Sequence, residues 1–114
     1  MTTPVVQQLS DEVCVAPQLD LEAIAWAARA GFKSVINNRP DFEGGPDQPT
    51  SAQFEAAALT AGLRYAYLPV SPAVQTPQEI ACFAELLREL PTPVLAFCRS
   101  GTRSSKLYRA ATGS

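Results

Sequence analysis

Histidine is missing from the whole chain of 114 residues. Its absence excludes Ser-His-Asp and Cys-His catalysis, a histidine general base and the usual zinc ligand sets. Cysteine is scarce as well. Cys14, Cys82 and Cys98 are odd in number, far apart and without a C-x-x-C pair, so neither a disulfide framework nor a structural metal cluster is encoded. No apolar run approaches the roughly 18 residues of a transmembrane helix. Residues 1–6 lack the basic-then-apolar plan of a signal peptide, so a cytoplasmic location is expected. The net charge of -2 gives no reason to expect nucleic acid or an anionic membrane as partner. Any cysteine chemistry must therefore use arginines, backbone amides and helix termini, and no metal or organic cofactor is expected.

What is present suits a single small domain. Hydrophobic residues make up 46%, which argues against disorder, and the length suffices to bury a core without staples. Charge is unevenly placed. Residues 1–89 carry five Lys/Arg against eleven Asp/Glu, whereas residues 90–114 carry Arg99, Arg103, Lys106 and Arg109 and no acid. That tail reads either as a solvated helix end or as an anion-attracting mouth around Cys98.

Strand-like and helix-like segments alternate. Val5–Leu9 and Val13–Ala16 read as two short strands, an edge hairpin around Ser10-Asp11-Glu12. Asp20 caps a helix with the stripe Leu21, Ile24, Ala25 and Ala28, ended by Gly31. Phe32–Asn38 is a buried strand, and Arg39 to Pro49 a loop. Thr50 with Gln53 forms a capping box for a helix closed by Gly62, and Leu63–Leu68 is the next strand. Thr76-Pro77-Gln78-Glu79 starts a third helix, with Ile80, Phe83, Ala84 and Leu87 as its stripe. Val94–Phe97 is a short apolar strand, and Ser104 opens a last helix through Ala110. This order predicts an α/β fold with a mostly parallel central sheet flanked by helices and ligands at the carboxyl ends of the strands. The short final helix and the Thr112-Gly113-Ser114 end fit one domain, residues 1–114, excised from a longer fusion protein.

The chemistry concentrates in Cys98-Arg99-Ser100-Gly101-Thr102-Arg103-Ser104, between a buried strand and a helix start. A loop wrapping into a helix N-terminus turns several N–H groups inward and makes an anion cradle. Gly101 permits a turn with positive φ. Cys98 at the base is then favoured as thiolate, Arg103 can fold back to grip an oxyanion in bidentate fashion, and Ser104 can bond the sulfur or help cap the helix. Arg99, Ser100 and Thr102 complete the loop. The bland alternative is a core cysteine with two surface arginines. Cys14 and Cys82 read as packing residues.

Asn37-Asn38-Arg39-Pro40-Asp41-x-Glu43, Gly62-Leu63-x-Tyr65, Leu68-Pro69-Val70 and Phe97-Cys98-Arg99-Ser100-Gly101-Thr102-Arg103-Ser104 together resemble the beta-lactamase-hydrolase-like phosphatase family over about residues 5 to 110. The resemblance implies a fold similar to dual-specificity and tyrosine phosphatases. Through members fused to sulfide-oxidising enzymes it also implies a link to sulfide metabolism. Cysteine phosphatases use C-x5-R, usually after a histidine. Here four residues separate Cys98 from Arg103, and Phe97 precedes. The shorter string is similar to the loop of single-domain rhodaneses, which stabilises a cysteine persulfide.

Phosphatases of this architecture take a proton for the leaving oxygen from an aspartate on a loop after an upstream strand, yet Pro69–Gln75 contains no acid. Asp41, Glu43 and Asp47 are the nearest candidates, with Glu79 in a helix's first turn. Arg39 is expected to matter structurally or at the site rim, and Asp41 and Glu43 are expected at the rim. The favoured expectation is a sulfurtransferase that moves sulfane sulfur from a small anionic donor, thiosulfate or glutathione persulfide, through a Cys98 persulfide to an acceptor thiol. The alternatives are a tyrosine or dual-specificity-type phosphatase with a Cys98 phosphoenzyme, and a non-catalytic anion-binding docking module.

Overall fold

The computed structural model describes residues 4–113, so Met1 to Thr3 and Ser114 lie outside the described residues. Nine elements follow in chain order: β1 (Gln7–Gln8), β2 (Val13–Ala16), α1 (Leu21–Arg29), β3 (Ser34–Asn37), α2 (Ser51–Ala61), β4 (Arg64–Tyr67), α3 (Pro77–Glu89), β5 (Val94–Phe97) and α4 (Thr102–Thr112). The five strands form one sheet in the order β1-β2-β5-β3-β4. β1 pairs antiparallel with β2 at one edge, and every other pairing is parallel. This is the expected α/β architecture.

Strand pleating explains the two cores. Side chains alternate across a sheet, so Leu95 and Phe97 of β5 pack on one face with Phe54 of α2 and Ile24 of α1, while Val94 and Ala96 meet Phe83 of α3 and Leu107 of α4 on the other. All four residues of β3 and of β5 are buried, as expected of central parallel strands covered on both sides. Phe54 and Phe97 rings lie 5.0 Å apart across this interface.

Helix starts follow the capping chemistry. Asp20 accepts the Ala23 amide, and Thr50–Gln53 and Thr76–Glu79 are complete capping boxes. Several boundaries differ from expectation. β1 shrinks to two residues because Val5 is exposed and does not pair. The buried face of α1 is Ala23, Ile24 and Ala27 rather than the expected stripe, since Trp26 and Leu21 pack from the flanks. Most consequentially, α4 begins at Thr102, two residues before Ser104. Gly101 at φ 89° supplies its N-terminal turn without any side-chain cap.

Candidate active site

β5 delivers Cys98 to the carboxyl edge of the sheet, and the chain then wraps through Arg99–Gly101 into α4. Gly101 takes a left-handed φ that only glycine adopts freely, and a Cβ there would touch the backbone of Ala16 at 3.5 Å. Its N–H donates to Cys98 Sγ at 3.0 Å. Burial pushes the Cys98 thiol up, but the backbone amides of Ser104, Ser100, Arg103 and Gly101 outweigh it, and the thiol ends below its ordinary value. The Gly101 amide on Sγ and the lowered thiol fit an amide cradle of the kind expected from the sequence. Cys98 itself has no exposed surface.

Arg103 sits in the first turn of α4, with its side chain 7% exposed. Its Nη1 and Nη2 donate to the two carboxylate oxygens of Glu43 at 2.8 and 2.7 Å, and Nη1 also donates to the Val70 carbonyl at 3.0 Å. Arg39 Nε donates to the same Glu43 at 2.8 Å, while its Nη1 reaches Gln18 Oε1 at 2.9 Å. The Arg103 hydrogen bonds hold the Glu43 carboxyl below its usual range, against some desolvation, and Arg39 adds to the effect. In return Glu43, helped by the nearby Cys98, holds Arg103 more firmly protonated.

The structure thus brings Arg39 and Glu43 together with Cys98 and Arg103, in different roles from those expected. Glu43 is an anchor for two guanidinium groups rather than an acid with a proton to give. Arg39 is 9% exposed, is held by Glu43 and Gln18, and lines the cleft above the site. Asp41 is occupied elsewhere, its Oδ1 accepting the Ser51 amide at 2.8 Å. Asp47 is exposed, and Glu79 accepts the Thr76 amide. Ser104 neither caps α4 nor places its hydroxyl on the sulfur. Its Oγ donates to Asn38 Oδ1 at 2.8 Å, while its amide faces Cys98. Ser100 and Thr102 bond each other through their hydroxyls at the mouth. Cys14 is half-buried, and burial raises its thiol. Cys82 is exposed on α3, so it is not the packing residue expected.

Several supporting residues went unassigned in the sequence. Asn38 ties the loop to the sheet, since its Nδ2 donates to the Leu68 carbonyl as its Oδ1 receives Ser104. Gln48 accepts the Gly44 amide and donates to the Pro40 carbonyl, folding the Arg39 loop back on itself. Gly44 leaves room for Arg39; a Cβ there would lie 2.8 Å from its Nη2. The available signal was the string Asn37-Asn38-Arg39, whose polar side chains continue a buried strand.

Above this layer opens a cleft of about 700 Å³, lined by Arg39, Glu43, Arg99, Arg103, Lys106 and neighbouring residues. Among the described residues Glu43 is the one acid lining it. No group of side chains among the described residues is arranged to hold a metal ion, and no helix there is long and apolar enough to cross a membrane.

Comparison with known proteins matches the sequence to a family model. The model of the beta-lactamase hydrolase-like protein, phosphatase-like domain, covers residues 6–113. A beta-lactamase hydrolase-like protein of Agrobacterium fabrum is 37% identical over 101 residues, which is 89% of this chain and 23% of that protein. The chain thus spans about a quarter of the length of the curated relatives it matches. Among solved structures, a candidate phosphatase of Neisseria meningitidis superposes with a TM-score of 0.81 at 33% identity, covering 89% of this chain and 71% of that one. The core catalytic domain of a PP-IP phosphatase from S. cerevisiae shares the fold, with a TM-score of 0.71 at 15% identity over 93% of this chain and 64% of that one. On its sequence and its fold alike, the chain belongs to the family of phosphatase-like domains of beta-lactamase hydrolase-like proteins.

Proposed function

We propose that this domain is a cysteine-based phosphohydrolase. The observation that carries the reading is Cys98 Sγ accepting the Gly101 amide at 3.0 Å at the N-terminus of α4, with Arg103 pinned by Glu43 and its charge favoured by the nearby Cys98. Preorganised donors of this kind stabilise the charge of a transferring phosphoryl group and need no rearrangement of solvent. The phosphatase-like family and fold support the same chemistry. They favour it over the sulfur transfer expected from the loop length. The described residues form one sheet with its helices, which supports reading residues 1–114 as a single unit.

In this reading the Cys98 thiolate attacks phosphorus, the S–P bond forms and the P–O bond to the leaving group breaks. The amides of Ser100, Gly101, Arg103 and Ser104, together with the Arg103 guanidinium, hold the non-bridging oxygens. Water then attacks the phosphocysteine and releases phosphate. Glu43, Arg39 and the Ser104–Asn38 bond are positioning elements. The test is hydrolysis of p-nitrophenyl phosphate by the parent and by Cys98→Ser. Turnover lost with Cys98→Ser supports the reading, and turnover retained overturns it.

One observation favours a second reading. The loop is one residue shorter than C-x5-R and lies tight on Sγ, a geometry that suits a single added sulfur atom. Sulfur transfer from thiosulfate, measured on the same protein, decides between the two.

A further inference from the structure

We infer that the site is built for a leaving group that departs as a multiply charged oxyanion held by cations, the class of substrate being a phosphoanhydride whose terminal phosphoryl group is transferred from another phosphate. This rests on the phosphohydrolase reading above. Two independent features of the cleft lead to it.

The first is that, among the described residues, the candidate proton donors Asp41, Glu43, Asp47 and Glu79 are engaged or do not line the cleft. Glu43 receives three guanidinium hydrogen bonds, and protonating it would break up the group that positions Arg103. Asp41 holds the start of α2 through the Ser51 amide, and Glu79 holds the start of α3. Asp47 does not line the cleft, and the segment from Pro69 to Gln75, which faces it through Pro72, carries no acid. A general acid is typically worth 10²–10⁴-fold, most of all for a poor leaving group such as an alkoxide. A site without one is effective only where the leaving oxygen is stable as an anion.

The second is what stands in the acid's place. Arg99 and Lys106 are exposed, line the same cleft, and make no salt bridge among the described residues. Lys106 lies three residues beyond Arg103 on α4, so the two share a helix face. With Arg39 and Arg103, the described residues lining the cleft include four cations and one carboxylate, Glu43. Its volume of about 700 Å³ takes more than one phosphate group. Cations beyond the nucleophile stabilise charge that grows on a departing phosphate, where a proton donor would otherwise be required.

The step balances without an acid. The Cys98 thiolate forms the S–P bond to the terminal phosphorus, and the bridging P–O bond breaks. Its electron pair leaves on the bridging oxygen, which departs as a phosphate monoester dianion beside Arg99 and Lys106. Water then attacks the phosphocysteine. The P–S bond breaks with its electron pair returning to sulfur, one water proton stays in the new P–OH, and the other passes to a second oxygen of the released phosphate.

Three probes test this on the full chain: methyl diphosphate, methyl phosphate and p-nitrophenyl phosphate, each with the parent and with Arg99→Gln/Lys106→Gln. The expected result is a kcat/KM for methyl diphosphate at least about 100-fold above that for methyl phosphate, the lower end of what an acid would supply. In the double variant the ratio of methyl diphosphate to p-nitrophenyl phosphate turnover falls at least about tenfold, because only the former leaves as a phosphate. If p-nitrophenyl phosphate is hydrolysed but methyl diphosphate reacts no faster than methyl phosphate, or the ratio survives the double substitution, the anhydride inference is overturned and the phosphohydrolase reading stands. If no probe is hydrolysed, the phosphohydrolase reading itself falls.

Discussion

Glu43→Gln separates an anchor from an acid at the one carboxylate lining the cleft. Oε1 of Glu43 accepts Arg103 Nη2 at 2.7 Å and Arg39 Nε at 2.8 Å, while Oε2 accepts Arg103 Nη1 at 2.8 Å. A glutamine in the same place keeps the first two bonds with its carbonyl oxygen. It turns its NH2 group toward Arg103 Nη1, so that a donor meets a donor, and the negative charge is gone. A hydrogen bond to a charged group is worth about 1.5–3 kcal/mol. The Glu43 side chain keeps 21% exposure, so solvent screening reduces the net cost to about 1–2 kcal/mol. At roughly 4 °C per kcal/mol for a domain of this size, the melting temperature falls by about 4–8 °C. Because Arg103 keeps the Val70 carbonyl, it is loosened rather than released, and kcat falls about 10- to 100-fold with a smaller change in KM. The stability loss carries a pH signature. The folded-state pKa of Glu43 is lowered, so its contribution is complete above the ordinary carboxylate pKa and disappears as pH falls through the lowered value. The gap between parent and variant in chemical denaturation therefore closes toward acid. Thermal melts, denaturation from pH 7 down to pH 3 and kinetics with p-nitrophenyl phosphate check all three. An unchanged melting temperature and kcat would refute the anchoring role. A large loss with an alkyl phosphate but none with p-nitrophenyl phosphate would show that Glu43 gives up a proton after all.

Cys98→Ser abolishes turnover and leaves the melting temperature within a few degrees, while Cys14→Ser and Cys82→Ser retain most activity; a loss at either of these with the fold intact would show that more than one thiol takes part. Gly44→Ala places a Cβ 2.8 Å from Arg39 Nη2, so the end of the Arg39 side chain must move; the melting temperature falls only slightly, and kcat weakens as Arg39 loosens from Glu43. With the Cys98 thiol held low by the loop amides, the acidic limb of the kcat/KM profile has its midpoint below the ordinary thiol value, and a midpoint at or above it contradicts the cradle's effect. One small residue inserted between Ser100 and Gly101 widens the loop; the ratio of aryl phosphate hydrolysis to thiosulfate turnover, taken as kcat/KM values, rises, and a fall in that ratio would show that loop length does not set the chemistry.

Much of the fold can be read in the sequence because its signals are local. The capping boxes at Thr50 and Thr76, the glycine after α2 and the apolar run of β5 each specify a boundary within a few residues. The Cys98 loop is legible for the same reason, since its cysteine, glycine and arginine lie within one turn of chain. α4 starts earlier than expected because Gly101, not a serine cap, makes the turn. What could not be read is the partner of each charged group. Glu43 and Arg103 are 60 residues apart, and only the parallel pairing of β3 with β5 brings them side by side. Spacing presents Glu43 as an acid near a site; Arg39, four residues away, is a local partner, but the Arg103 guanidinium that engages both its oxygens comes from folding. The same holds for Asn38, whose link to Ser104 spans 66 residues.

The central claim is that Cys98 carries a phosphoryl group, and intact-protein mass spectrometry of an acid-quenched reaction tests it most directly. The parent is mixed in separate reactions with p-nitrophenyl phosphate and with thiosulfate, and peptide mapping locates any adduct. One phosphoryl group is expected on Cys98 with the aryl phosphate, absent from Cys98→Ser, and no added sulfur with thiosulfate. A persulfide on Cys98 without any phosphoryl adduct would contradict it.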